Sequence, residues 1–165
     1  FLSILPKERS MLKNVWVEMD EQLSKYARGK AIEIVIVGSA AAIIFMYFGL
    51  EYVALLSVLV GFSVLIPFLG AFIVTIPVAV VGLLQLGLTF ELSLLMASYL
   101  ALQILDGNLL VPILYTDAVK LHPVAIILAV FVFGSLFGFW GVFFAIPIAT
   151  LIKAIWNAWP EKLVD

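Results

Sequence analysis

Most of the polar chemistry between residues 34 and 152 sits in one stretch, Gln103 to Pro123, QILDGNLLVPILYTDAVKLHP. Gln103 and Asp106 are three residues apart, so on a helix they share a face. Gly107 weakens a helix there, and Pro112 has no N–H to give to the carbonyl of Asn108. A carboxylate, an amide oxygen and freed carbonyls are hard oxygen donors, suited to a proton or a small cation. An ionisable residue inside a membrane span marks a functional site. Gln103, Asp106 and Asn108 are therefore the candidate residues for binding an ion or solute. The competing reading is a turn or helix cap at the membrane interface, which Asp106-Gly107-Asn108 also fits. Histidine is the side chain that titrates near neutral pH, which makes the single one, His122, the candidate proton carrier. Because it precedes Pro123, it also suits a plain helix cap. Asp117 and Lys120 read as a solvated loop pair, and Glu33 and Glu91 as interfacial residues near span ends. Gln85, Ser63 and Thr75 are neutral and either face a solute path or pack between helices.

The elements that must position these groups are apolar. The chain has 165 residues, 65% of them hydrophobic and 12% charged, with a mean hydropathy of +1.23. Soluble domains have about 25% charged residues, so both departures point to a bilayer. A net charge of −2 gives no sign of nucleic acid, and with no cysteine there is neither a disulfide nor a thiolate metal site. The chain opens on Phe1 rather than Met and reads as a piece whose N-terminal part is missing.

Taken in order, residues 1–30 hold six of the nine basic residues. Leu12, Trp16, Met19, Leu23 and Tyr26 form one apolar stripe of an amphipathic helix. It reads as a cytoplasmic connecting helix, packed on its own protein or on the lipid surface, or else as a subunit contact. Residues 31–50 predict a first span, with Gly38 to Ala42 offering a smooth face for close packing. Tyr52 to Phe90 carries no charge and is broken at Ile66-Pro67-Phe68-Leu69-Gly70, which predicts two helical arms over 52–66 and 72–88, the second with Pro77 inside it. A second span over 91–110 ends at Pro112, and a polar loop fills 113–122. The run after it is broken at Gly138-Phe139-Trp140-Gly141, giving arms over 123–137 and 142–155. These arms are short for full spans and predict a re-entrant hairpin. Trp156 and Trp159 read as an interfacial belt.

The order is thus span, broken pair, span, broken pair. The expected fold is all-α and polytopic. A transmembrane transport domain over 31–165 would hold two inverted units, 31–90 and 91–155. Pro67 to Gly70 answers Gly138 to Gly141, and Ile76-Pro77-Val78-Ala79 answers Ile146-Pro147-Ile148-Ala149. Inverted repeats with broken helices place a solute site near the midplane, which makes Pro67, Gly70, Gly138 and Gly141 the candidate gating tips. If each pair returns to its starting side, all nine basic residues fall on one side, the cytoplasmic one, along with both ends of the chain.

Catalytic motifs are missing. There is no Gly-x-Ser-x-Gly elbow, no His-Glu-x-x-His and no phosphate loop. An aspartyl pair would need two convergent carboxylates, and Pro112 separates Asp106 from Asp117. No enzyme activity, metal site or cofactor is expected, apart from sodium or a proton as a coupling ion.

In order, Ile66-Pro67-x-x-Gly70, Gln103-x-x-Asp106-x-Asn108-x-x-x-Pro112, Leu121-His122-Pro123 and Gly138-x-x-Gly141 with Ala145-x-Pro147 resemble the C-terminal half of the autoinducer-2 exporter family, the PerM-like permeases. The resemblance covers about residues 26–153. It implies a prokaryotic inner-membrane protein about twice this length, either an exporter of a quorum-sensing signal or a sodium or lithium/proton antiporter. Two positions depart from the family pattern: Ala71, where proline is frequent, and Asp106, where glutamate is usual. The expectation is a secondary transporter of a small polar solute or cation, embedded in lipid as a homo-oligomer. A non-transporting membrane scaffold working through residues 7–28, or a channel, is the alternative.

Overall fold

The computed structural model describes residues 5–115 and 121–158, with side chains for residues 17, 20–115 and 121–153. Asp117, Lys120 and Trp159 lie outside the described residues. So do the side chains of Leu12, Trp16, Met19 and Trp156.

The described chain is helical throughout. Helix α1 spans Leu5–Tyr47, α2 Val53–Ser63, α3 Leu69–Leu86 and α4 Phe90–Leu105. A π-turn over Asp106–Leu110 leads into α5, Val111–Leu114. Helices α6, Pro123–Phe143, and α7, Ala145–Ala158, complete the order. Four stretches are long and apolar enough to cross a membrane: Asp20–Tyr47, Leu69–Leu86, Phe90–Leu114 and Pro123–Phe143. Their outer faces carry large apolar side chains such as Val35, Phe72, Leu84 and Phe131. Such surfaces have no stable place in water, and the molecule is a multi-pass membrane protein.

Two buried clusters hold the helices together. The first joins Val37, Ala41 and Phe45 of α1 to Val60, Val78, Leu95 and Tyr99. Here α1 and α2 approach closely. A Cβ on Gly61 would lie 2.9 Å from the Ile34 carbonyl oxygen, and one on Gly38 would lie 3.3 Å from that of Ser57. The smooth face expected around Gly38 is where these helices meet, as small residues allow. The second cluster gathers Tyr26, Tyr115, Leu121, Ile126, Ala129, Val130, Ala145 and Ile146. At the opposite end from the first break, the Gln85 amide clasps the α1–α2 loop. It donates to the Gly49 carbonyl (2.6 Å) and accepts from the Glu51 N–H (2.7 Å).

Both predicted breaks are present, and they are built alike. In the first, α2 ends at Ser63 and Phe68 turns the chain with φ 61°. In the second, Gly138 departs from helical geometry with φ 62° and ψ −138°. In each, the following glycine allows two backbones to touch. A Cβ on Gly70 would land on the Ser63 carbonyl, and one on Gly141 on the Phe133 carbonyl.

Two boundaries differ from expectation. Helix α1 runs without interruption from Leu5 through the start of the first span. Pro112 does not end the second span, and the predicted loop over 113–122 begins later than expected. Helix resumes at Val111 and continues to Leu114, because the π-turn absorbs the missing donor. The Val111 N–H bonds back to the Asp106 carbonyl five residues earlier, so the proline falls within the first turn of a restarted helix, where its lost N–H costs nothing.

Candidate functional site

The buried face of α1 recurs at three- and four-residue spacing: Tyr26, Lys30, Glu33, Val37, Ala41 and Phe45. This spacing carries two charged residues into the protein interior. Lys30 is 3% and Glu33 1% exposed. Glu33 is therefore not an interfacial residue. The Lys30 ammonium donates to Glu33 Oε2 (2.8 Å) and to the Val64 carbonyl at the first break (2.8 Å). The Tyr115 hydroxyl donates to the same Glu33 oxygen (2.7 Å). The rings of Tyr26 and Tyr115 stand 5.2 Å apart, and the ammonium lies 6.0 Å from the first centroid and 5.0 Å from the second. A buried ion pair survives only when its remaining bonding capacity is met, and here a carbonyl, a phenol and two aromatic faces meet it.

Across from this pair stands Asp106, at the start of the π-turn. It is 8% exposed, and its Oδ1 has no hydrogen-bond partner among the described residues. Leaving a buried charged acceptor unmatched costs about 1–3 kcal/mol or more, and π-turns inside helices are frequent at functional sites. Gln103, one turn earlier, gives its Nε2 to the Tyr99 hydroxyl (2.8 Å), leaving its oxygen as an acceptor. The Tyr99 hydroxyl also lies 3.2 Å from that of Thr75 on α3.

Lys30, Glu33, Gln103, Asp106 and Tyr115 line one cavity of about 160 Å³. Lys30 and Glu33 face it from α1, Ser63, Pro67 and Phe68 from the first break, and Gln103, Asp106 and Gly107 from the end of α4. Tyr115, Ile126 and Ile146 close it. The space takes several waters, a hydrated cation or a small polar solute. Among the described residues no group of three or more His, Cys, Asp or Glu side chains could hold a metal.

The residues singled out in the sequence divide as follows. Gln103, Asp106 and Pro67 meet at the cavity. Asn108 is exposed and donates to the Ile104 carbonyl (2.8 Å). His122 is also exposed, and its Nδ1 accepts the Val124 N–H (3.3 Å) as the N-cap of α6. Gly70 is buried in the backbone contact behind the first break, and Gly138 and Gly141 belong to the second, so none of the three lines the cavity. Sequence reasoning missed Lys30, Glu33, Tyr26 and Tyr115. The signal for the first three was present: the apolar stripe read as far as Tyr26 continues at the same spacing through Lys30 and Glu33 to Val37.

Fold and cavity define a polytopic helical membrane protein with a polar, charged site enclosed among its helices. The chain belongs to the AI-2E transporter family, whose model, AI-2E family transporter, matches residues 1–161. PerM of Escherichia coli (strain K12), a permease by name alone, is 57% identical over 158 residues, covering 96% of this chain and 45% of PerM. YrrI of Bacillus subtilis (strain 168), a transport protein by name alone, is 31% identical over 84% of this chain and 38% of its own. A similarly named protein of Thermotoga maritima is 30% identical over 100% of this chain and 48% of its own. The chain spans less than half the length of these relatives. No solved structure matches it. Membership of a transporter family agrees with the expectation that the chain is not an enzyme.

Proposed function

We propose that this chain forms the transport unit of a secondary transporter that moves a small polar solute or cation across a prokaryotic inner membrane by alternating access. The observation that carries the reading is Asp106: a buried carboxylate with an unpartnered oxygen, facing a cavity where the first broken hairpin and the helices of both units converge. Asp106 and Gln103 receive the ion or solute, and the backbone around Pro67 gates it. The two breaks, each with a positive φ and a glycine against a carbonyl, support two units of inverted topology. The kink at Gly138 leaves the arm before it, residues 123–137, short of a full span, which supports a re-entrant second hairpin. If each broken pair returns to its starting side, the basic residues of the sequence fall on one side, which supports cytoplasmic ends. The proposal includes a homo-oligomer, which light scattering on the solubilised protein tests.

The family description suggests an autoinducer-2-like signal as the solute. The unpartnered carboxylate favours a second reading in the same class, a sodium or lithium/proton antiporter. Proteoliposomes separate the two: autoinducer-2 counterflow marks the first, and sodium- or lithium-driven proton movement the second. In either assay Asp106→Asn is expected to lower coupled flux at least tenfold, with yield and elution profile unchanged. Undiminished flux would remove Asp106 from the mechanism.

A further inference from the structure

The charges facing the cavity do not balance. Glu33 and Asp106 contribute two carboxylates and Lys30 one ammonium, leaving one negative charge in a low-dielectric site. Tyr115 faces the cavity as a neutral phenol, with Tyr26 behind it. The first break contributes Ser63 and Pro67, while α6 and α7 contribute Ile126 and Ile146, so among the described residues no other charge lines the cavity. An isolated charge buried in such a setting is strongly disfavoured unless a counter-charge joins it.

Lys30 hydrogen-bonds one of the two carboxylates, that of Glu33. Its ammonium is fixed by Glu33 Oε2 and the Val64 carbonyl, each at 2.8 Å, and flanked by two aromatic rings. Two buried side-chain oxygens lack a partner among the described residues, the Tyr26 hydroxyl and Asp106 Oδ1; the second belongs to a carboxylate that lines the cavity, and it is the charge-balancing position. The donor set around it is oxygen from a carboxylate and an amide, which suits a hard cation. One uncompensated charge calls for a monovalent one.

Resting on the reading of this cavity as the transport site, we infer that Lys30 is a built-in cation that satisfies Glu33 and so limits the site to one mobile monovalent cation, a proton or alkali ion, at Asp106. Lys30 is then a specificity-determining residue that sets stoichiometry. Its removal leaves both carboxylates in need of a cation.

The experiment counts cations per chain on the protein in lipid nanodiscs. Radioactive sodium measures alkali ions, lithium serves as competitor, and a pH-stat records protons exchanged. The wild type is expected to take one cation per chain, Asp106→Asn none, Lys30→Arg one and Lys30→Gln two. The double variant Lys30→Gln/Glu33→Gln removes both members of the buried pair, which a fold tolerates better than loss of one, and is expected to return to one. It serves as the deciding variant if Lys30→Gln does not fold. One cation at wild-type affinity in Lys30→Gln, or none or two in the double variant, overturns the assignment. A wild type that moves autoinducer-2 but binds neither sodium, lithium nor a proton also overturns it, while leaving the transport reading intact. One cation per chain, lost in Asp106→Asn, in a protein without flux supports the assignment and sinks the transport reading instead.

Discussion

The two broken hairpins share a construction and differ in what they touch. Around the first break, the Val64 carbonyl accepts the Lys30 ammonium and Pro67 and Phe68 line the charged cavity. Around the second, Phe139 and Trp140 are exposed and stack with Phe143 and Phe144 in an aromatic cluster. One tip is wired to charge and the other is greasy. Similar backbone devices therefore serve unlike neighbours, and the chemistry of a broken helix lies in what it faces rather than in the break.

The shared construction yields the largest expected effect. Gly70→Ala and Gly141→Ala each drive a methyl group into a carbonyl of the preceding arm. Each should destabilise the protein by about 3 kcal/mol or more, read as loss of folded protein in a thermal or SDS titration. A large loss at one site alone would break the equivalence. Next comes the tie between cavity and network. Tyr115→Phe deletes the bond to Glu33, at a cost of about 2 kcal/mol, and should change cation affinity in the same direction as Glu33→Gln, whereas Trp140→Ala at the other tip should leave it unchanged. Equal responses to Tyr115→Phe and Trp140→Ala would erase the distinction between the tips. The smallest effects have opposite signs. Gly138→Ala forces a side chain into a region nearly reserved for glycine and should cost about 1–2 kcal/mol, whereas Phe68→Gly relieves a positive φ and should be neutral or stabilising by about 0.5 kcal/mol.

Much of the fold was legible because charge-free runs and Pro/Gly breaks are strong one-dimensional signals. The arms predicted over 52–66 and 72–88 correspond to α2 and α3, and the second break falls on Gly138. Pro112 misled because a proline is read as a stop, while a π-turn two residues upstream lets the helix pass. The site was half legible. Asp106 and Gln103 stand out as polar groups among apolar neighbours. Lys30 and Glu33 do not, because they lie at the border between a charged segment and an apolar one, where interfacial anchors are the simpler reading. What buries them includes Tyr115, 82 positions away from Glu33, and no local pattern announces that partner. Asn108 and His122 were attractive by type alone, and each is used in a local backbone bond instead.

The Gln85 clasp on the α1–α2 loop has a mechanical consequence. It pins the far end of the α2–α3 hairpin to the end of α1 through two short bonds. At the other end the Val64 carbonyl takes one polar bond, from the Lys30 ammonium, and the rest of the hold is apolar packing of Val64, Ile66 and Leu69. Apolar contacts shift more readily than short polar bonds, so the clasp is the natural pivot of any tilt of the hairpin. Helix α3, at 18 residues, is about 27 Å long at 1.5 Å per residue, so a tilt of about 4° about the glutamine moves the tip by about 2 Å. That displacement is enough to break the hydrogen bond between Lys30 and the Val64 carbonyl.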